Sequence, residues 1–469
     1  MIVFLITLAA CREKKEEEDM INYKITPYVT KGDKTKLLQE DPQFLTDLEV
    51  RDTLNKVEIK LSETFQTMDG FGAAMTESSA YLIKNLSETQ REIVMNDLFS
   101  KSGINISFVR IPMGASDFAL DNYSYNDIPL DQTDLTQEHF TLARDEEYVI
   151  PMLQIAMQKN PHLLLMGSPW SAPAWMKDTK TMNGGSLMDI YHDAYAKYFV
   201  KFIQGYTNFG LPIYAITPQN EPLHQTTTYP TMYMTAQQQV QFIRSLGSAF
   251  EDNNIDTLII SYDHNWDRPQ FPNTILGSPL SKDYTAGSAF HCYGGEVSQQ
   301  LTVNRLYPEK GIWFTECSGG GWATNFSSNM SWNLENVFIG SINAFSKSVL
   351  MWNLALDDQD GPKNGGCQNC RGVVTIHDDG TYTRNEEYYM IGHFSKFVEQ
   401  GAIRVGTSAS NPNLLVTAFK NPNGEVVVVM HNKSNNSLNF NLNIGQANQN
   451  YLITSKTTVS FVLEPQHDI

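Results

Sequence analysis

Basic charge is what this chain is short of. Thirty-four lysines and arginines stand against 52 aspartates and glutamates, a formal net charge of −18. Phosphate-bearing polymers are gripped by basic surfaces, so the balance argues against nucleic acid as the main partner and a neutral substrate fits, though acidity alone is mostly a solubility trait. The apolar start, Met1 to Cys11, is too short to span a bilayer as a helix. The five cysteines include a Cys367-Gln-Asn-Cys370 pair, but no second pair stands at zinc-site spacing. Histidines are scattered and no H-x-x-x-H run occurs, so neither metal nor cofactor is expected. No Gly-rich phosphate loop follows the first predicted strand, which argues against a doubly wound nucleotide-binding sheet. No internal repeat or low-complexity linker interrupts the folded part. What is present is an ordinary globular composition, 41% hydrophobic and 18% charged. Its 469 residues would fill a barrel of about 250 residues or more plus a smaller module.

The start of the chain reads as an address, with a chance apolar start as the plainer alternative. Leu8-Ala9-Ala10-Cys11 resembles the bacterial lipobox, at which a signal peptidase cuts before a lipidated cysteine, and the acidic tether Arg12 to Asp19 follows. The basic n-region of a signal peptide is missing, which a start codon assigned a few residues late would explain. The expectation is an exported lipoprotein, monomeric, held at the outer membrane or cell surface by a lipid on Cys11 and otherwise free of the membrane. In that oxidising setting Cys367 and Cys370 read as a local disulfide that stiffens a loop. Cys292 and Cys317 read as buried thiols.

Five segments are expected: a signal at 1–11, a charged tether and lead-in at 12–45, sandwich strand at 46–65, a catalytic barrel at 66–393, and a C-terminal sandwich at 394–469. Val57 to Leu61 alternates as a half-buried strand does. Short apolar runs separated by helical stretches follow, the pattern of βα units. Eight strands are predicted: Thr67–Phe71, Ile106–Ile111, Leu163–Gly167, Tyr214–Thr217, Leu258–Tyr262, Ser288–His291, Ile312–Thr315 and Val349–Trp352. Ser87-Glu-Thr-Gln90 is a capping box for a helix through Phe99. Helices are also predicted over Tyr191–Phe209 and Gln237–Phe250. Past residue 393 the helical period stops. Leu414–Phe419 and Glu425–Met430 read as a hairpin, and Leu438–Ile444 and Thr458–Leu463 as further strands. The predicted fold is α/β, a (β/α)8 TIM barrel with a side β-sandwich built from both chain ends.

Two glutamates stand out by position. Tyr214-Ala-Ile-Thr-Pro-Gln-Asn-Glu221 and Gly311-Ile-Trp-Phe-Thr-Glu316 are apolar strands that end in carboxylates, the fourth and seventh in the count. Strand ends converge on one mouth of a (β/α)8 barrel. Two carboxylates flanking a glycosidic bond are what acetal hydrolysis needs, one to protonate the leaving oxygen and one to attack or to activate water. Either glutamate alone reads more simply as a helix cap. The conjunction at strands four and seven favours catalysis.

Eight blocks in consistent order then resemble glycoside hydrolase family 30, the family of glucocerebrosidase, from about Gln66 to Ile469. They are Met68–Thr76, Arg110–Phe118, Ser168–Trp175, Thr217–Pro222, Phe290–Tyr293, Phe314–Cys317, Trp352–Leu356 and Gly392–Phe397. The resemblance implies a retaining mechanism with the carboxyls about 5 Å apart. It implies Glu221 as acid/base, its pKa raised by the carboxylate opposite, and Glu316 as nucleophile held by Arg110. Asn220 would hold the sugar 2-hydroxyl, Asp117 and Trp170 the far hydroxyls, and Trp352 an apolar face. Tyr293 would bond the nucleophile and His291 line the rim. Cys292 replaces a tryptophan found in glucocerebrosidase.

The loop Asp360–Ile376 resembles the bacterial and fungal β-1,6-glucanase branch, with Arg371 offering hydrogen bonds to sugar hydroxyls. The expected activity is endo-β-1,6-glucanase on a β-glucan. Glucosylceramidase or exo-β-glucosidase is the alternative, and a non-catalytic carbohydrate-binding lipoprotein is a remoter one.

Overall fold

The computed structural model describes residues 22–44, 54–445 and 447–466. Eight parallel strands close a barrel in chain order: Gly70–Ala74, Phe108–Pro112, Leu164–Ser168, Ala215–Ile216, Leu258–Asn265, Thr285–His291, Gly311–Glu316 and Ser346–Asn353. The eighth pairs with the first, Val349 opposite Phe71, which completes the ring. Each predicted strand is found. The first starts at Gly70 and not at Thr67, because Thr67 still belongs to the antiparallel strand Asn55–Thr67.

Side-chain alternation decides what the barrel holds. Phe108, Met166, Ile260, Trp313 and Leu350 fill the interior, while Phe71, Phe314 and Val349 pack outward with the helices. Near the amino ends of the strands, Asp69 accepts hydrogen bonds from Trp313 (2.7 Å) and Tyr214 (2.9 Å). With the interior filled, the carboxyl ends of the strands are where a mouth can form.

The predicted helices appear as Glu88–Phe99, His192–Asn208 and Ala236–Asp252. Ser87 and Gln90 make the predicted capping box, and Thr235 with Gln238 makes a second. Gly210 follows the middle helix at φ +77°, the left-handed geometry that glycine adopts without a Cβ penalty.

Nine further strands form a sheet that doubles over on itself. Tyr451, on the last strand of the sheet order, packs 5.1 Å from Phe461 on the third, so distant strands share one core. Residues 22–31, predicted as part of the tether and lead-in, are a full strand of that sheet and pair with the chain's last strand, Thr457–Gln466. Pro27 interrupts the run and disguises it. Yet Val29 is fully buried and Tyr23 and Ile25 pack on the same core, so tertiary burial overrides the proline signal.

Two histidines clamp sandwich to barrel. His393 bonds Ser460 (2.7 Å) and Thr30 (2.8 Å), and His431 bonds Ser331 and Thr458 (2.9 Å each). Burial lowers both to about 3, so they serve as neutral hydrogen-bonding groups. Among the described residues no helix is long and apolar enough to cross a membrane.

Candidate active site

The site is a pocket of about 350 Å³ at the carboxyl ends of the strands, and Asp117, Trp170, Asn220, Glu221, Tyr293, Glu316 and Trp352 line it. A larger groove of about 610 Å³ lies between two outer helices, where Asp189, Lys197 and Arg244 face solvent. Size alone would choose the wrong one. Chemistry chooses the pocket.

Arg110, fully buried on the second strand, organises it. One guanidinium nitrogen donates to Glu316. The other donates to Asn220 (2.7 Å), Asp263 (2.7 Å) and Ser168 (3.1 Å). The guanidinium also lies 4.9 Å from the centroid of Trp170, which stacks on Trp352 at 4.9 Å. The Tyr293 hydroxyl donates to the second oxygen of Glu316 at 2.9 Å. Burial raises the Glu316 carboxyl, and the charge of Glu221 adds to this, while His291, Arg110 and Tyr293 oppose it.

Glu221 is built differently. Its backbone is left-handed at φ 44°, a conformation that costs a β-carbon-bearing residue about 1–3 kcal/mol. The Glu221 N–H donates to the Asp263 carbonyl at 2.9 Å, and its own carbonyl accepts from His224 at 2.8 Å, which locks the turn. The carboxyl meets His291 Nδ1 at 3.1 Å. Burial raises Glu221, but the His291 hydrogen bond and the charges of His264, His291 and His224 outweigh it and hold Glu221 down at about 2. The expectation that the opposite carboxylate lifts Glu221 is therefore corrected for the resting site. His291 is itself raised to about 9, which favours the protonated imidazole as the partner of the Glu221 carboxylate. Burial works against that rise, and Glu316, Asp263 and Glu221 together overcome it.

Asp263 is the most consequential residue that sequence reasoning missed. It is fully buried at the end of the fifth strand, with φ 63°. It accepts from His291 (2.9 Å) and from Thr315, Ser168, Thr217 and Arg110 (2.7 Å each). Those charges and donors keep its carboxyl well below the usual range despite burial. Ser261-Tyr-Asp263-His offered no motif. The only signal available was its place at a barrel strand's carboxyl end, shared with many other residues.

The other expected residues divide. Asp117 faces the pocket with one buried carboxyl oxygen unpartnered, and burial with the charges of Glu316 and Glu221 raises it to about 8. Gly366 lies against it: a Cβ there would stand 2.2 Å from the Asp117 Cβ, so only glycine lets the loop approach. His291 lies beneath Glu221 and not on the rim. Arg371 is a correction. Its guanidinium is turned to Glu387 (2.8 Å) and Glu386 (2.9 Å), and it braces the loop from behind the pocket. His224 and Tyr229, 2.9 Å apart, and Trp322 line the pocket without having been foreseen. Among the described residues, Glu221, His291 and Glu316 are the one grouping of metal-type donors. Their atoms are already engaged with Arg110, Tyr293 and Asp263.

The Cys367–Cys370 disulfide is present and forms part of the wall. Cys292 and Cys317, expected as thiols, are joined as well, Cα to Cα 5.4 Å. The reason is register: the sixth and seventh strands pair His291 with Glu316, so the residues that follow are neighbours. Peptide mapping of unreduced protein should find none of these four thiols free. The Cys292→Ser/Cys317→Ser variant should lose about 2–4 kcal/mol of stability by denaturant titration. An alkylated Cys317 in native protein would count against the pairing.

Comparison with known proteins agrees with the geometry. The chain is 34% identical over 404 residues to endo-1,6-beta-D-glucanase neg1 of Aspergillus fumigatus, covering 80% of each chain. It is 31% identical over 396 residues to putative glucosylceramidase 2 of Caenorhabditis elegans, covering 80% of this chain and 76% of the other. The solved structure of the endo-beta1,6-glucanase BT3312 superposes with a TM-score of 0.87 at 32% identity, covering 93% of this chain and 99% of that one. Residues 68–398 match the glycosyl hydrolase family 30 TIM-barrel domain and residues 401–465 the family's beta sandwich domain, so this chain belongs to glycosyl hydrolase family 30 and is a glycosidase.

Proposed function

We propose that this glycosidase cleaves β-1,6-glucan within the chain and retains anomeric configuration. The observation that carries the mechanism is the carboxylate spacing. An oxygen of Glu221 and an oxygen of Glu316 lie within 4.8 Å of each other, suited to direct attack and too close to seat a water on the opposite face of the sugar. Glu316 attacks the anomeric carbon while Arg110 and Tyr293 hold its anion in place. Glu221 delivers to the leaving oxygen the proton shared with His291. Once Glu316 is esterified its charge is gone, and Glu221 takes a proton from the incoming water.

The remaining residues position the sugar. The Asn220 carbonyl accepts from Arg110, which leaves its amide hydrogens for the 2-hydroxyl. Asp117, raised to about 8, keeps a proton near neutrality and so can donate to a hydroxyl as well as accept. Trp352 and Trp170 supply the apolar face under the ring. The named β-1,6-glucanase relatives support the linkage, as does the polar segment Gly361–Gly372, which offers no apolar bed for a ceramide. An exported form anchored through Cys11 suits an external polysaccharide. Cys11 lies outside the described residues.

Pustulan decides between cleavage modes. Its viscosity should fall early, with gentiobiose and longer oligomers appearing before glucose. Glucose alone from the first minutes would replace the endo reading with an exo-β-glucosidase.

A further inference from the structure

The aromatic rings lining the pocket differ in exposure, and one exposed ring, Tyr293 at 46%, is tied by its hydroxyl to Glu316. Trp170 and Trp352 are each 3% exposed and stacked on one another beside the carboxylates. Trp322 lines the same pocket and is 56% exposed. A single exposed ring is ordinary on a protein surface, but one set at the rim of a polar pocket offers an apolar face to whatever enters it.

The ring is also held. Trp322 follows Gly319–Gly320, which pairs with Cys370–Arg371. The indole packs down on Gly320, where a Cβ would lie 2.2 Å from the ring. Cys370 is tied to Cys367, and Arg371 to Glu386 and Glu387, so the strand beneath the ring is braced at both residues. A presented face on a rigid support suits the apolar C–H face of a pyranose.

We propose that Trp322 is the stacking platform for a second glucosyl unit, the neighbour of the one held between Glu221 and Glu316. The inference rests on the β-glucan reading above. It makes Trp322 a determinant of polymer preference and leaves the bond-breaking step to the carboxylates.

The test compares substrates that do and do not reach the platform. β-Glucosyl fluoride fills only the place between the carboxylates. β-Gentiobiosyl fluoride adds a neighbour on the non-reducing side, and transfer of glucose to added gentiobiose adds one on the leaving-group side. Trp322→Ala should lose roughly tenfold or more in kcat/KM on pustulan relative to its loss on glucosyl fluoride, mostly through KM. Trp322→Phe should recover most of that difference. An added deficit on gentiobiosyl fluoride places the platform on the non-reducing side; a deficit confined to transfer places it on the leaving-group side. Equal losses on all substrates, or no loss on pustulan, overturn the platform. If wild-type enzyme turns over neither pustulan nor glucosyl fluoride, the β-glucan reading falls and the platform falls with it.

Discussion

Glu316→Gln is expected to lower turnover by a factor on the order of 10⁴ to 10⁶ while substrate analogues still bind. The amide keeps the shape of the carboxyl and can accept from Arg110 on one oxygen. It cannot form the glycosyl ester. Arg110 is fully buried and would keep Asp263 as a counter-charge, so the fold should survive. The smaller Glu316→Ala leaves room for azide beneath the sugar. With an activated glycoside, azide attacking from that side yields a glycosyl azide of inverted configuration, which NMR identifies. Retained full activity, or an azide product of retained configuration, would remove Glu316 from the nucleophile's role. Glu221→Ala should behave otherwise: glycosides with good leaving groups should lose far less than pustulan in the first step, because they need little proton donation. Equal losses on both would indicate general damage.

Asp263→Asn should lower kcat/KM by roughly 10²–10³ and stability by about 3–5 kcal/mol. Five donors converge on this carboxylate, from Arg110, His291, Ser168, Thr217 and Thr315. An asparagine must turn its NH2 toward at least one side of that set, where it meets donors in place of acceptors. Arg110 then loses a buried counter-charge, and His291 loses one of the groups that raise it to about 9. The sign follows. The protonated imidazole is the form facing Glu221, and it is lost as pH rises through its pKa. Lowering that pKa moves the alkaline limb of kcat/KM to lower pH. A limb that stays in place while stability drops would make Asp263 a purely structural residue.

Part of the site was legible because single strands spell it out. Asn220-Glu221-Pro222 and Thr315-Glu316 each end an apolar run, and position at a strand's carboxyl end is a local property. Arg110, Trp170 and Trp352 were legible only through the family resemblance, each within its own block. Arg371 misled because a cation in a polar loop near a sugar site has an obvious use. Its partners Glu386 and Glu387 begin a helix that the loop packs against only in the folded chain. Residues 22–31 misled because Pro27 speaks locally against a strand that only the pairing with residues 457–466 creates.

By itself the amino-acid sequence determined the alternation of strands and helices, the capped helix starts and the two carboxylates at strands four and seven, because period and residue type act over a few neighbouring positions. Only the tertiary structure decided which distant residues meet. Parallel register set His291 beside Glu316 and thereby joined Cys292 to Cys317. Closure of the barrel brought Asp263 from the fifth strand to Arg110 on the second and His291 on the sixth. With the charge of Glu316, that contact raises His291, because a buried charge takes its protonation state from what surrounds it in space and not from its neighbours in the chain.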